Sequence, residues 1–151
     1  MELKGLVVET YYTQKDLEYT LQGAMVYYDD KLVYHCTDIQ TFRKFLSVFN
    51  LELYSPTKSE TTSEGITNTY KTYKEFKLEP YTSIHELPDE LMMVEVVLNG
   101  SLYVGYVEAG KNNVTLYYPN FEEDKNLHKM THELSKYRKT MSSNLIFHIN
   151  Q

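Results

Sequence analysis

His128-Lys-Met-Thr-His132 sets two imidazoles one helical turn apart, the spacing at which paired histidines can share a metal ion. At about 100° per residue, both lie roughly 140–180° from the middle of the stripe formed by Leu127, Met130 and Leu134. They face solvent, and Glu133 beside them points elsewhere, so a solvated helix face is the better reading. Glu95 and Glu108 are the second candidates, because carboxylates in apolar surroundings have raised pKa values and serve as general acids. Strand geometry puts them roughly 13 Å apart, beyond the ~5–10 Å of a glycosidase pair. Charges on the rim of an apolar contact patch are the better account. No Gly-rich phosphate loop, Gly-x-Ser-x-Gly elbow or Cys-x-x-Cys pair occurs, and the six glycines are scattered. No cofactor and no metal is expected.

His35-Cys-Thr37 has the His-x-Thr spacing found in two-histidine phosphoesterases, and the resemblance ends there. Such an enzyme needs a second copy, which the sequences after His85, His128, His132 and His148 fail to provide. His35 and Cys36 are strand neighbours and point to opposite faces, so they form no dyad. Cys36, expected on the face of Leu32 and Tyr34, reads as a buried structural thiol. It is the only cysteine, which excludes an intramolecular disulfide.

The stretch that would position any site is Leu91 to Tyr118, read as a three-stranded antiparallel meander. Asn99-Gly100 joins two β-rich runs, and a type I′ turn there needs φ > 0 at both central residues. A two-residue loop fixes the register: Leu98 faces Ser101, Val96 faces Tyr103, Val94 faces Gly105 and Met92 faces Val107. One face then carries Met92, Val94, Val96, Leu98, Tyr103 and Val107, with no charge. The other carries Leu91, Met93, Val97, Leu102, Val104 and Tyr106, with Glu95 and Glu108. Half-solvated sheets show one polar face. Here neither is fully polar, so both sides are expected to need cover.

Around this meander the pattern is α+β. Residues 5–12 read as a first strand, and 23–28 with 31–36 as a hairpin about Asp29-Asp30. Thr37-Asp-Ile-Gln40 has capping-box spacing. It opens a helix over 37–50 with Ile39, Phe42, Phe45, Leu46 and Phe49 on one stripe, closed by Asn50. Residues 51–54 read as a short strand, the Ser/Thr/Glu-rich run about 55–65 as a mobile loop, and 66–78 as one long lysine-defended edge strand. Asn120-Phe-Glu-Glu123 repeats the capping spacing and opens an amphipathic helix over 121–141, and 144–149 closes the chain as a strand. The expectation is one α+β domain over 1–151: an antiparallel sheet with two amphipathic helices near 37–50 and 121–141. The outline also admits two similar β-β-β-α-β halves.

Composition narrows the function. With 42% apolar residues and a net charge of -6, the chain reads as a folded acidic domain. It has no apolar run of the ~20 residues a membrane span needs and no signal-peptide pattern at Met1-Glu-Leu-Lys, which favours the cytoplasm. Between Lys77 and Lys111 there is no lysine or arginine, and only Arg43 and Arg138 are arginines. A sequence reader of DNA or RNA leans on arginine, so direct nucleic-acid binding is not expected. Fifteen tyrosines supply large contact area at low entropic cost, as at protein interfaces.

The preferred function is therefore a small acidic protein-binding module without catalysis. An inhibitor or immunity-type protein fits, as does a phage counter-defence protein that mimics nucleic acid in the channel of a host enzyme. The lysine-rich, arginine-poor composition is compatible with a low-GC bacterium or its phage. The expected partner-binding residues are Glu86, Asp89, Glu90, Glu95, Tyr103, Tyr106, Glu108, Tyr117 and Tyr118. Two alternatives stay open: a small hydrolase or nucleotide-binding enzyme with a site near His35 or His128/His132, and a homodimeric structural or accessory protein.

Overall fold

A computed structural model of the chain describes residues 5–81, 87, 91–119 and 142–149. The chain divides into two compact units, Met1–Glu75 and Phe76–Gln151, each built on its own five-stranded sheet.

The first unit begins with two hairpins. Val7–Lys15 (β1) and Glu18–Tyr28 (β2) turn at Asp16-Leu17, and β2 and Lys31–Cys36 (β3) turn at Asp29-Asp30. All four turn residues have positive φ, between 52° and 73°, the backbone that matches a tight turn to strand twist. After the helix, Lys58–Thr61 (β4) and Gly65–Lys71 (β5) pair antiparallel, and β5 returns beside β1. The order is β3-β2-β1-β5-β4. The Ser/Thr-rich run expected as a loop thus contributes a strand, whose hydroxyls and charges face solvent from the sheet edge. Residues 51–54 form no strand, although Leu51 is buried.

The helix is Ile39–Val48 (α1), one residue later than the capping-box spacing indicates. Asp38, not Thr37, is the N-cap: its carboxylate accepts from the Thr41 amide at 3.3 Å and from the Thr41 hydroxyl at 2.8 Å. At the other end Asn50 takes φ 51°. There the Asn50 amide donates to the Ser47 carbonyl and the Leu51 amide to the Leu46 carbonyl, the two bonds of a Schellman ending. Phe42, Phe45, Val48 and Phe49 are buried. They meet the sheet face that carries Val8, Ala24, Val26, Tyr34 and Cys36, through a stack of Tyr34 on Phe45 and Phe45 on Phe49.

Two irregularities alter which side chains reach the opposite face. The β1–β2 register shifts at Tyr11/Tyr12, leaving Gln22 as the extra residue. The β2–β3 register shifts at Val26/Tyr27, so that Tyr34 pairs with Val26 but Leu32 pairs with Tyr27. Strict alternation puts Leu32 on the face of Tyr34 and Cys36. The extra residue, Val33, turns Leu32 to the other side, where it is half exposed.

The second unit contains Glu75–Tyr81 (β6), Met92–Leu98 (β7), Ser101–Ala109 (β8), Asn113–Pro119 (β9) and Ser142–Ile149 (β10), in the order β10-β7-β8-β9-β6. The run 66–78, expected as one strand, breaks after Lys71 into β5 and β6, which serve different sheets. The hairpin register is the expected one, from Met92 opposite Val107 to Leu98 opposite Ser101, and Asn99 and Gly100 carry φ 51° and 88°. The sheet is mixed instead of antiparallel, because β10 runs parallel to β7. Val94, Val96, Leu98, Tyr103, Val107, Leu116, Phe147 and Ile149 are all buried, which seals the uncharged face. Phe76 stacks on Phe147 there at 5.7 Å.

In coarse terms the fold is α+β, rich in antiparallel and mixed sheet. Among the described residues α1 is the single helix, and the helix expected over 121–141 lies outside them. Each sheet contains a three-strand meander and returns the chain beside that meander's first strand, β1 or β7, although β6 precedes the second meander and joins it at β9. The return is antiparallel in one and parallel in the other, so the likeness of the two halves stops at strand order.

Candidate functional site

The charged face of the C-terminal sheet is closed at one end and open at the other. At the closed end Tyr81, Leu87, Leu91 and Tyr106 form a buried cluster, with Met93, Val104 and Tyr117 packed against it. The Tyr81 hydroxyl donates to the Val104 carbonyl at 2.8 Å, and its ring meets Tyr106 edge-on at 5.9 Å. At the open end two cross-strand rows run over β10, β7 and β8: Ile146, Glu95, Val104 and His148, Val97, Leu102. Leu102 is 50% exposed and Ile146 40%. Two large apolar side chains with a carboxylate between them therefore meet solvent on a sheet whose reverse side is sealed.

The expected partner-binding residues divide accordingly. Glu95 and Glu108 are exposed. Tyr103 is 9% exposed on the sealed face, and Tyr106 is 1% exposed inside the cluster, so both rings serve packing. Tyr117 and Tyr118 are half-buried and, as strand neighbours, point to opposite faces. Burial raises the Tyr117 phenol above its ordinary value, and the nearby carboxylates of Glu108 and Glu79 raise it further. Two acids thus converge beside one tyrosine at the closed end. Glu86, Asp89 and Glu90 lie outside the described residues, as do His128 and His132.

His35 and Cys36 face opposite sides of β3. Cys36 is buried against the helix side, and its thiol is raised chiefly by that burial. Among the described residues no three His, Cys, Asp or Glu side chains gather as a metal-holding group, and no helix is long and apolar enough to cross a membrane.

His35 belongs instead to a surface that the linear pattern does not reveal. On the face of the N-terminal sheet away from α1, register aligns three rows. The first is Lys71, Val7, Tyr27 and Leu32; the second is Lys58, Thr69, Glu9, Met25 and His35; the third is Glu60, Thr67, Tyr11 and Gly23. Across these rows lies a groove of about 460 Å³, lined by Glu9, Tyr11, Gly23, Met25, Leu32 and His35 among others. The Tyr27 hydroxyl donates to the Met25 sulfur at 3.5 Å. Burial first, and then the charge and hydrogen bonding of Glu9, raise the Tyr27 phenol. Glu9 and His35 stand two strands apart with Met25 between them, roughly 9–10 Å across the sheet.

Compared with known proteins, the chain matches no family model, no curated protein and no solved structure.

Proposed function

We propose that the chain is a non-catalytic module, working in the cytoplasm, that binds another protein through the open end of the C-terminal sheet's charged face. An inhibitor, an immunity-type protein or a phage counter-defence protein fits this description. The observation that carries the reading is the half exposure of Leu102 and Ile146 around Glu95. Apolar side chains set beside acids suit a partner whose own contact surface is apolar at its centre and basic at its edge. The acidic stretch from Lys77 to Lys111, with Glu79 and Glu108 converging on Tyr117, favours a partner that normally holds nucleic acid. Glu86, Asp89 and Glu90 belong to the same acidic stretch of sequence, and of the tyrosine pair it is Tyr117 that lies on this face.

The test is an affinity capture from the native host with three baits: the natural chain, Leu102→Asp with Ile146→Asp, and Glu79→Lys with Glu95→Lys and Glu108→Lys. The natural chain is expected to retain one dominant protein that both altered baits lose, each with an unchanged circular dichroism spectrum. Retention by the charge-reversed bait would end the nucleic-acid mimicry while leaving the contact face in place. Retention by the Leu102/Ile146 bait would remove the face itself. A homodimer is the second reading, favoured by β10 standing at the sheet edge beside the exposed Ile146. Sedimentation over a range of concentrations separates it from a monomer that awaits a partner.

A further inference from the structure

We propose that the groove on the open face of the N-terminal sheet is a binding site for a small organic cation with an apolar body, of the aryl- or alkylamine class. This goes beyond the C-terminal contact face and does not depend on it.

Gly23 is the first observation. Glycine weakens the interior of a strand, and where it persists it marks a bulge, a bend or the close approach of something else. Gly23 lies beside the β1–β2 bulge, but the left-handed backbone that would require glycine is absent, since Gly100 is the one glycine with positive φ among those described. A side chain at Gly23 would also have room, because a Cβ there meets only the Cys36 carbonyl oxygen, at 3.8 Å. Gly105 makes the contrast: a Cβ there would collide with Val96 and press on the Tyr117 carbonyl. Neither backbone nor packing demands glycine at position 23. Its effect is to leave the groove empty between Tyr11 and Met25.

The walls are the second observation. The irregularity in β3 turns Leu32 into the groove, where with Met25 and Tyr11 it makes an apolar and aromatic lining. Methionine and aromatic walls adapt to flat or aliphatic bodies. The volume falls within the range of small-ligand sites.

Charge supplies the ligand's sign. Glu9 is the sole carboxylate lining the groove, and no lysine or arginine lines it. Lys58 shares the Glu9 row beyond Thr69; its ammonium pairs with Glu60 at 2.9 Å, and the charge of Glu9 acts on it less than that of Glu60. A cation in the groove meets the Glu9 carboxylate, and Tyr11 belongs to the same lining. An anion would meet that carboxylate, with His35 as the one basic side chain of the lining.

The experiment uses the full chain with 13C-labelled methionine methyl groups, the Met25 signal being assigned by its loss in Met25→Leu. Phenethylammonium is expected to shift the Met25 methyl saturably. The neutral 2-phenylethanol should bind about tenfold more weakly, and 3-phenylpropionate should leave the signal in place. Gly23→Val fills the groove with a strand-favouring side chain and should abolish the shift. Leu32→Lys, at a half-exposed position that tolerates charge, should weaken binding about tenfold, and Glu9→Gln should bring the cation down to the level of the neutral probe. An unmoved Met25 methyl, equal binding of all three probes, or an unchanged titration in both Gly23→Val and Leu32→Lys would each overturn the site.

Discussion

Tyr34 and Phe45 lie face to face, ring centroids 4.4 Å apart and planes 7° from parallel, and this stack joins β3 to α1. Phe45 stacks on Phe49 in turn at 4.6 Å, and both phenylalanines are fully buried. The helix therefore docks through one column of three rings. Phe45→Ala should lower unfolding stability by roughly 3–5 kcal/mol, the transfer cost plus that of the void left between the other two. Urea denaturation measures this, and a loss near 1 kcal/mol would show that the column is not what holds the helix.

Asp38 satisfies the first turn of α1 through Thr41. Asp38→Ala should cost about 1 kcal/mol, whereas Thr37→Ala should fall within the roughly 0.5 kcal/mol scatter of surface changes. Paired thermal melts decide between them, and the opposite ranking would move the cap back to Thr37.

Leu17 sits at φ 73° at the tip of the first hairpin and is 89% exposed. It has backbone strain to lose and little packing. Leu17→Gly should therefore raise stability by roughly 0.5–1 kcal/mol, less the added freedom of the unfolded chain. A drop in the denaturation midpoint would mean that Leu17 makes a contact within the fold.

Burial holds the Tyr34 phenol well above its ordinary value, with Cys36 and Asp38 adding to the effect. The folded state keeps this proton where the unfolded chain gives it up. Its contribution is thus complete below about pH 10 and declines as pH rises above that, by up to about 1.4 kcal/mol per pH unit. Tyr34→Phe should flatten part of the alkaline loss of stability. An alkaline slope identical to that of the natural chain would contradict the assignment.

Local chemistry carried the C-terminal hairpin. Asn99-Gly100 specified both turn and register, and the pairs from Met92/Val107 to Leu98/Ser101 follow from it. Asp29-Asp30 marked the turn of the second hairpin, though not its register, and Asn50 marked the helix end. The first hairpin was hidden because Leu17 is a poor residue for positive φ. Lys58–Thr61 was hidden because its composition is that of a loop, and only pairing with β5 makes it a strand. Leu32 was misplaced by one inserted residue, since a single bulge reverses every side chain beyond it. The groove was illegible for a different reason: Lys58, Glu9, Met25 and His35 are far apart in the chain, and only the order of five strands puts them in one row. On the C-terminal face, Tyr103 and Tyr106 looked like contact residues because tyrosine suits both strand interiors and interfaces, and sequence offers no means to separate the two.

The parallel seating of β10 on β7 constrains the sequence of events by which the C-terminal sheet assembles. The hairpin of β7 and β8 closes through two residues, a microsecond event, while β10 must travel back across the meander after the whole of 120–141. Until it arrives, β7 is a bare margin presenting Val96 and Leu98 to any passing strand. A nascent or partly denatured chain is thus most vulnerable to self-association along that margin. A chaperone or a truncation would be felt there first.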